Sequence, residues 1–145
     1  MSGRLLAVIV CMSLLGCGGA PNDAPPLFPV NGSVDFDGQP LVEGTIYFEP
    51  LPPNAGPPGR AKIRDGKFDT ENSEEPGKGH VGGKMLVRVI PEGTPPESDP
   101  EATIPLPFPE WSLELDLPQQ PSTQEIHVPK EASNPKPIRR PANEP

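Results

Sequence analysis

Proline decides what this chain cannot be. Twenty-five prolines and fifteen glycines leave no prolonged helical-period segment uninterrupted after residue 20. A proline inside a helix removes a hydrogen bond and clashes with the preceding turn, at about 3 kcal/mol or more. Long helices are therefore excluded over most of the chain. The prolines gather at 21–29, 50–58, 91–109 and 118–145. The intervals between them hold β-branched residues in alternation, which is the pattern of short strands joined by stiff loops. This much proline and glycine also lies within the compositional range of low-complexity disorder, so the strand pattern has to carry the argument.

The clearest alternation is Val30–Pro50. Val30, Val34 and Phe36 fall on one parity, with Gly32 among them; Asn31, Ser33 and Asp35 fall on the other. In a second run, Ile46 and Phe48 share one face, and Thr45, Tyr47 and Glu49 take the opposite one. A period of two residues means a strand with one side on a core and one on water. Asp37-Gly38, Pro40 and Gly44 punctuate the connection. Arg60–Arg64 and Lys67–Thr70 then flank Asp65-Gly66, a pair suited to a type I′ turn, whose two central positions both need positive φ. Ala61, Ile63 and Phe68 are its apolar contributors.

Lys84–Ile90 carries Met85, Val87 and Val89 on one side and Leu86 and Ile90 on the other, with Arg88 between them. A strand apolar on both sides belongs in the middle of a sheet. Trp111, Leu113, Leu115 and Leu117 alternate with Ser112, Glu114 and Asp116. Ile126 and Val128 point inward from a short last strand, Glu125–Val128. Leu51–Pro58, Glu71–Gly83 and Pro91–Pro109 read as loops, the last as an irregular crossover. About seven short strands in roughly a hundred residues, with no helix, predict an all-β sandwich. Its large core members are Phe36, Phe48, Phe68 and Trp111.

The N-terminus reads as an address. Met1–Arg4 is a short positive region, and Leu5–Leu15 is an apolar run that suits a secretion signal and is too short to span a membrane as a helix. It ends in Leu14-Leu15-Gly16-Cys17, which resembles the bacterial lipobox: a small residue, then a cysteine that is lipidated and becomes the new N-terminus. The alternative is an ordinary signal peptide cut near Gly19-Ala20. Cys11 lies inside the removed segment, so lipidation of Cys17 leaves no thiol for a disulfide, a metal or a nucleophile. The expected organisation is a signal peptide at 1–16, the lipidated Cys17 and a proline-rich tether at 17–29, a sandwich at 30–128, and a disordered tail at 129–145. Leu27-Phe28 of the tether are expected to touch the sandwich. Lys130, Lys136, Arg139 and Arg140 concentrate positive charge in the tail.

Val30-x-Gly32-x-Val34-x-x-Asp37-Gly38-x-Pro40-Leu41-x-x-Gly44-x-Ile46-x-Phe48-x-Pro50 resembles the opening of the carboxypeptidase-regulatory-like, or transthyretin-like, β-sandwich, and is especially similar to small bacterial lipoproteins built on one such domain. Ile63-x-Asp65-Gly66-Lys67-Phe68-x-Thr70 looks like the hairpin of that family. Pro76-Gly77-Lys78 looks like its next segment, whose aromatic is replaced here around Gly79-His80-Val81. Pro107–Ser112 is similar to the stretch before its last two strands. The resemblance covers residues 30–128. It implies a seven-stranded Greek-key, prealbumin-like sandwich without catalytic residues, in a structural or adhesive accessory role.

Charge and motifs narrow the function further. The net charge of −8 becomes −9 once residues 1–16 and their single basic residue, Arg4, are gone. Nucleic acid would demand a concentrated basic surface, and anionic lipid would demand the same. Asp35-Phe36-Asp37-Gly38, with Glu43 as a remote further acid, has the start of a calcium loop, which needs more oxygens than these; a plain turn accounts for it, and no metal is expected. His80 and His127 stand far apart without a third zinc ligand, and read as a loop imidazole and an outward strand imidazole. No G-x-S-x-G elbow occurs, nor the Tyr-Arg-Gly-Ser ending and N-terminal histidines of transthyretin-related hydrolases. No catalytic residue and no cofactor is expected. Tyr47, and Trp111 if it faced out, could stack on a sugar, but the parity of Trp111 puts it inside. The expected function is a non-enzymatic, lipid-anchored module of the cell envelope, attached to the membrane through Cys17. The alternative is a module that binds an envelope protein or glycan through the loops at 51–58 and 91–109.

Overall fold

The computed structural model describes residues 24–73 and 79–134. The signal segment, Cys17, the first part of the tether, the Pro76-Gly77-Lys78 segment and residues 135–145 of the tail lie outside the described residues. The fold is all-β, with strands β1 (Val30–Phe36), β2 (Gln39–Pro40), β3 (Glu43–Pro50), β4 (Gly59–Arg64), β5 (Lys67–Asp69), β6 (Gly83–Pro91), β7 (Trp111–Leu117) and β8 (Ser122–Val128). They form one curled, mostly antiparallel sheet, consistent with a β-sandwich. Its path runs β2-β1-β5-β4-β3-β6-β7, and β8 adds to β1. The pairing of β1 with β8 is parallel, from Val30 opposite Ser122 to Phe36 opposite Val128.

Both Asp-Gly pairs make the tight turns that their sequence requires. Asp37 and Gly38 have φ of 50° and 79°, Asp65 and Gly66 of 48° and 73°. The two turns lock onto each other. The Val34 N–H donates to the Gly66 carbonyl at 2.9 Å, and the Gly66 and Asp65 N–H groups donate to the carbonyls of Leu41 and Val42, both at 2.8 Å. One local signal thereby becomes a tertiary clamp at one end of the sheet. Gly32 serves a different need: a Cβ there would lie 1.8 Å from the Gln124 carbonyl oxygen, so β1 and β8 can approach only over a residue without a side chain.

The alternation in the sequence matches the burial. Val30, Val34, Ile46, Phe48, Ala61, Ile63, Phe68, Met85, Val87, Val89, Ile126 and Val128 form the core, and each such aliphatic or aromatic side chain contributes roughly 1.5–3 kcal/mol when fully buried. Phe48 meets Phe68 across the interior, ring centroids 5.9 Å apart. β6 lies between β3 and β7, as its two apolar sides predict.

Other expectations are corrected. β8 begins at Ser122, three residues before the expected start, and β2 adds an eighth strand of two residues. Trp111 is only half-buried, while Phe108, inside the supposed irregular crossover, is sealed in the core against Phe36. Thr45, assigned to the water face, is buried and donates to Glu92. Structure also continues past Val128: Lys130–Ser133 form a 3-10 turn with Ala132 buried.

Candidate functional site

The parallel β1–β8 pair gives the molecule two unlike poles. The described chain arrives at the first. Phe28 and His80 exchange two backbone hydrogen bonds, 2.8 and 2.9 Å, and their rings stand 6.1 Å apart. The tether therefore touches the sandwich, as expected. The Val30 N–H donates to the Thr70 hydroxyl oxygen at 3.0 Å, and Gly56 packs between Pro25 and Val81. Segments 24–29, 51–59, 79–83 and 118–121 meet here.

His80 lies on the loop between β5 and β6, as the sequence suggested, but not at the surface. It is fully buried. Its Nδ1 accepts the Gly82 N–H at 3.0 Å, so the neutral ring carries its proton on Nε2, which finds no hydrogen-bond partner among the described residues. Burial pushes its pKa below the ordinary value of 6.5, because the charged form would lose its hydration. The glycine-rich stretch 79–83 let the chain bend inward where its composition reads as surface. His127, in contrast, is exposed on β8 as expected and pairs with Asp35 on β1.

The second pole holds a groove of about 400 Å³. Its walls are the β1–β2–β3 turn (Phe36, Pro40, Val42) and the crossover after β6 (Gly93, Ile104, Pro105). The crossover is nailed down from within by Phe108, whose ring centroid lies 5.2 Å from that of Phe36. Two carboxylates fix the floor. Glu43 accepts the Thr94 hydroxyl at 2.7 Å, and Glu92 accepts from Lys62 Nζ at 2.8 Å. Burial would raise the Glu92 pKa, but Lys62 and Thr45 outweigh it and the net shift is downward. Val42 is 73% exposed and Leu106 47% exposed beside this apolar lining. Such a groove can take an extended, partly apolar chain or a small apolar ligand.

The alternative binding surface was to use both proline-rich loops. The register separates them: Gly44 pairs with Pro91, and Pro50 with Met85, so 91–109 and 51–58 leave opposite ends of the β3–β6 ladder, about 20 Å apart at ~3.3 Å per residue. Only 91–109 borders the groove. Within it Ile104, Pro105 and Pro107 line the groove and Phe108 is buried, whereas Leu106 is exposed. The aromatic platform also dissolves. Tyr47 faces out under the Arg88 guanidinium, 5.2 Å from its ring centre, whereas Trp111 pairs with Val89 on the core face.

The D-x-D-G acids make the turn. The Gly38 N–H donates to Asp35 Oδ1 at 3.2 Å, Asp37 lies 3.9 Å from Lys130 Nζ, and Glu43 is held by Thr94. Among the described residues no group of three or more His, Cys, Asp or Glu converges as metal ligands, and no helix is long and apolar enough to cross a membrane. Cys17 lies outside the described residues. No family model, curated protein or solved structure matches the chain. The resemblance to carboxypeptidase-regulatory-like sandwiches therefore rests on the residue pattern alone.

Proposed function

We propose that this chain is a non-enzymatic presentation module of the bacterial cell envelope, a Greek-key, prealbumin-like sandwich tethered by lipid on Cys17. The observation that carries the reading is the Leu14-Leu15-Gly16-Cys17 address followed by a short proline-rich tether. The two poles support it. The described chain enters through Phe28 at one pole, and the groove opens at the other, so an anchored domain would turn its groove outward. β1 spans the distance with seven residues, about 23 Å at ~3.3 Å per residue. Anchoring by two or more acyl chains is long-lived, since each buried methylene contributes ~0.8 kcal/mol and a single chain is marginal. The two histidines, the side chains best suited to proton transfer near neutral pH, are held elsewhere: one is sealed in the interior and the other is paired across β1 and β8.

Metabolic labelling with a fatty-acid probe tests the anchor. The wild-type chain is expected to take up label and Cys17→Ala to lose it; a Cys17→Ala chain lipidated as strongly as wild type overturns the reading. The groove favours a second role, capture of a protein or glycan segment at the outward pole. A glycan array and a peptide library test that role, with binding lost on Val42→Glu; no ligand at high micromolar concentration leaves the scaffold role alone.

A further inference from the structure

We propose that the free edge of β7 is a docking site for an extended segment of another protein, one that alternates apolar and basic residues and joins the sheet as a further strand. The site lies on a different surface from the groove and is independent of the lipid on Cys17.

β7 ends the sheet path. It pairs with β6, and among the described residues no strand lies on its other side. About half of its backbone N–H and C=O groups therefore point away from the ladder. Such an edge invites pairing, and proteins blunt it with proline, a bulge or lysine. β7 has none of these. Its register with β6 runs unbroken from Gly83 opposite Leu117 to Val89 opposite Trp111. The prolines stop at Pro109 and resume at Pro118, which leaves a regular strand of seven residues between them.

The side chains are as open as the backbone. Trp111, Leu113 and Leu115 point toward the core, yet all three are only half-buried. Their neighbours Val87 and Val89 on β6 are sealed. β8, the other edge strand, is built differently. Its half-exposed inward positions carry the polar Ser122 and Gln124, and Ile126 and Val128 come only where the core closes over them. The composition of β8 follows its exposure. That of β7 does not, and an added strand would cover its apolar row.

Charge selects the occupant. Ser112, Glu114 and Asp116 stand exposed on the outward face of β7. Leu86 lies opposite Glu114 and Lys84 opposite Asp116, but neither acid forms an ion pair among the described residues. Basic side chains on an incoming strand, opposite Glu114 or diagonal to Asp116, supply the missing charge. The same acids disfavour a second copy. A twofold ladder of β7 on itself sets Glu114 against its own counterpart, and each chain brings a net charge of −8. In strand addition of this kind the backbone ladder gives affinity and the alternate side chains give specificity.

The probe is a synthetic peptide of alternating lysine and valine, Lys-Val-Lys-Val-Lys-Val-Lys, added to the full chain in nanodiscs of zwitterionic lipid. Trp111 is the single tryptophan and lies under the expected cover, so its emission should shift to the blue. Amide exchange within Trp111–Leu117 should slow. Glu114→Lys with Asp116→Lys should weaken binding about tenfold or more, while unshifted Phe28 and Gly82 amides report an intact fold. N-methylating the interior residues of the peptide keeps every side chain and removes the ladder donors; that peptide should not bind. Trp111 emission and β7 exchange unchanged at about 1 mM peptide overturn the proposal. So does equal binding of the N-methylated peptide, which reduces the contact to charge alone. Protection of β7 that rises with protein concentration in the absence of peptide makes a second copy the occupant and overturns it as well. None of these results bears on the labelling of Cys17 or on the ligand screen of the groove.

Discussion

Replacing Phe108 with alanine asks whether the proline-rich crossover belongs to the cooperative fold. Phe108 is 2% exposed, and its ring meets that of Phe36 at 5.2 Å. Phe→Ala in a core costs about 3–5 kcal/mol, from lost transfer energy plus the cavity left behind. Phe36 is only half-buried and can lean into the gap, so the low end, about 3 kcal/mol, is expected. A domain of this size is stable by about 5–15 kcal/mol; the variant should fold, with its melting temperature lowered by about 12 °C or more, at ~4–8 °C per kcal/mol. Leu106→Ala is the control. Leu106 is 47% exposed two residues away, and its loss should cost about 0.5 kcal/mol or less. Urea unfolding followed by the fluorescence of Trp111, the single tryptophan, measures both. Equal costs below about 1 kcal/mol for the two variants would refute the claim that Phe108 nails the groove wall to the core.

Two further outcomes follow from close packing and burial. Gly32→Ala drives a Cβ into the Gln124 carbonyl, so β8 must part from β1; a loss of more than about 2 kcal/mol is expected, with faster amide exchange confined first to Ser122–Val128. Stability should fall as pH drops below about 6.5, because unfolded His80 takes up a proton that the buried ring refuses. The slope attributable to it is at most about 1.4 kcal/mol per pH unit. It ends at the lowered pKa of the folded protein, and His80→Phe should remove it, so that the difference between the two unfolding curves isolates His80 from every other titrating group.

The strands of this protein were legible because their signal is local. Val30–Phe36 and Trp111–Leu117 match residue for residue, since period two depends only on neighbours along the chain, and the two Asp-Gly turns follow from the φ that their positions demand. What the sequence hid was every feature decided by a distant partner. Phe108 is core because Phe36 comes to it from across the fold. His80 is buried because the arriving tether, through Phe28, covers a stretch whose glycines look like loop. The groove exists because the β1–β2 turn and the crossover after β6 meet at one pole, and the proline-rich loop 51–58 is absent from it because β3 carries that loop to the other. Alternation tells which side of a strand is apolar. Only the closed sheet, through the parallel seating of β8 on β1 over Gly32, decides which ends of the chain share a pole.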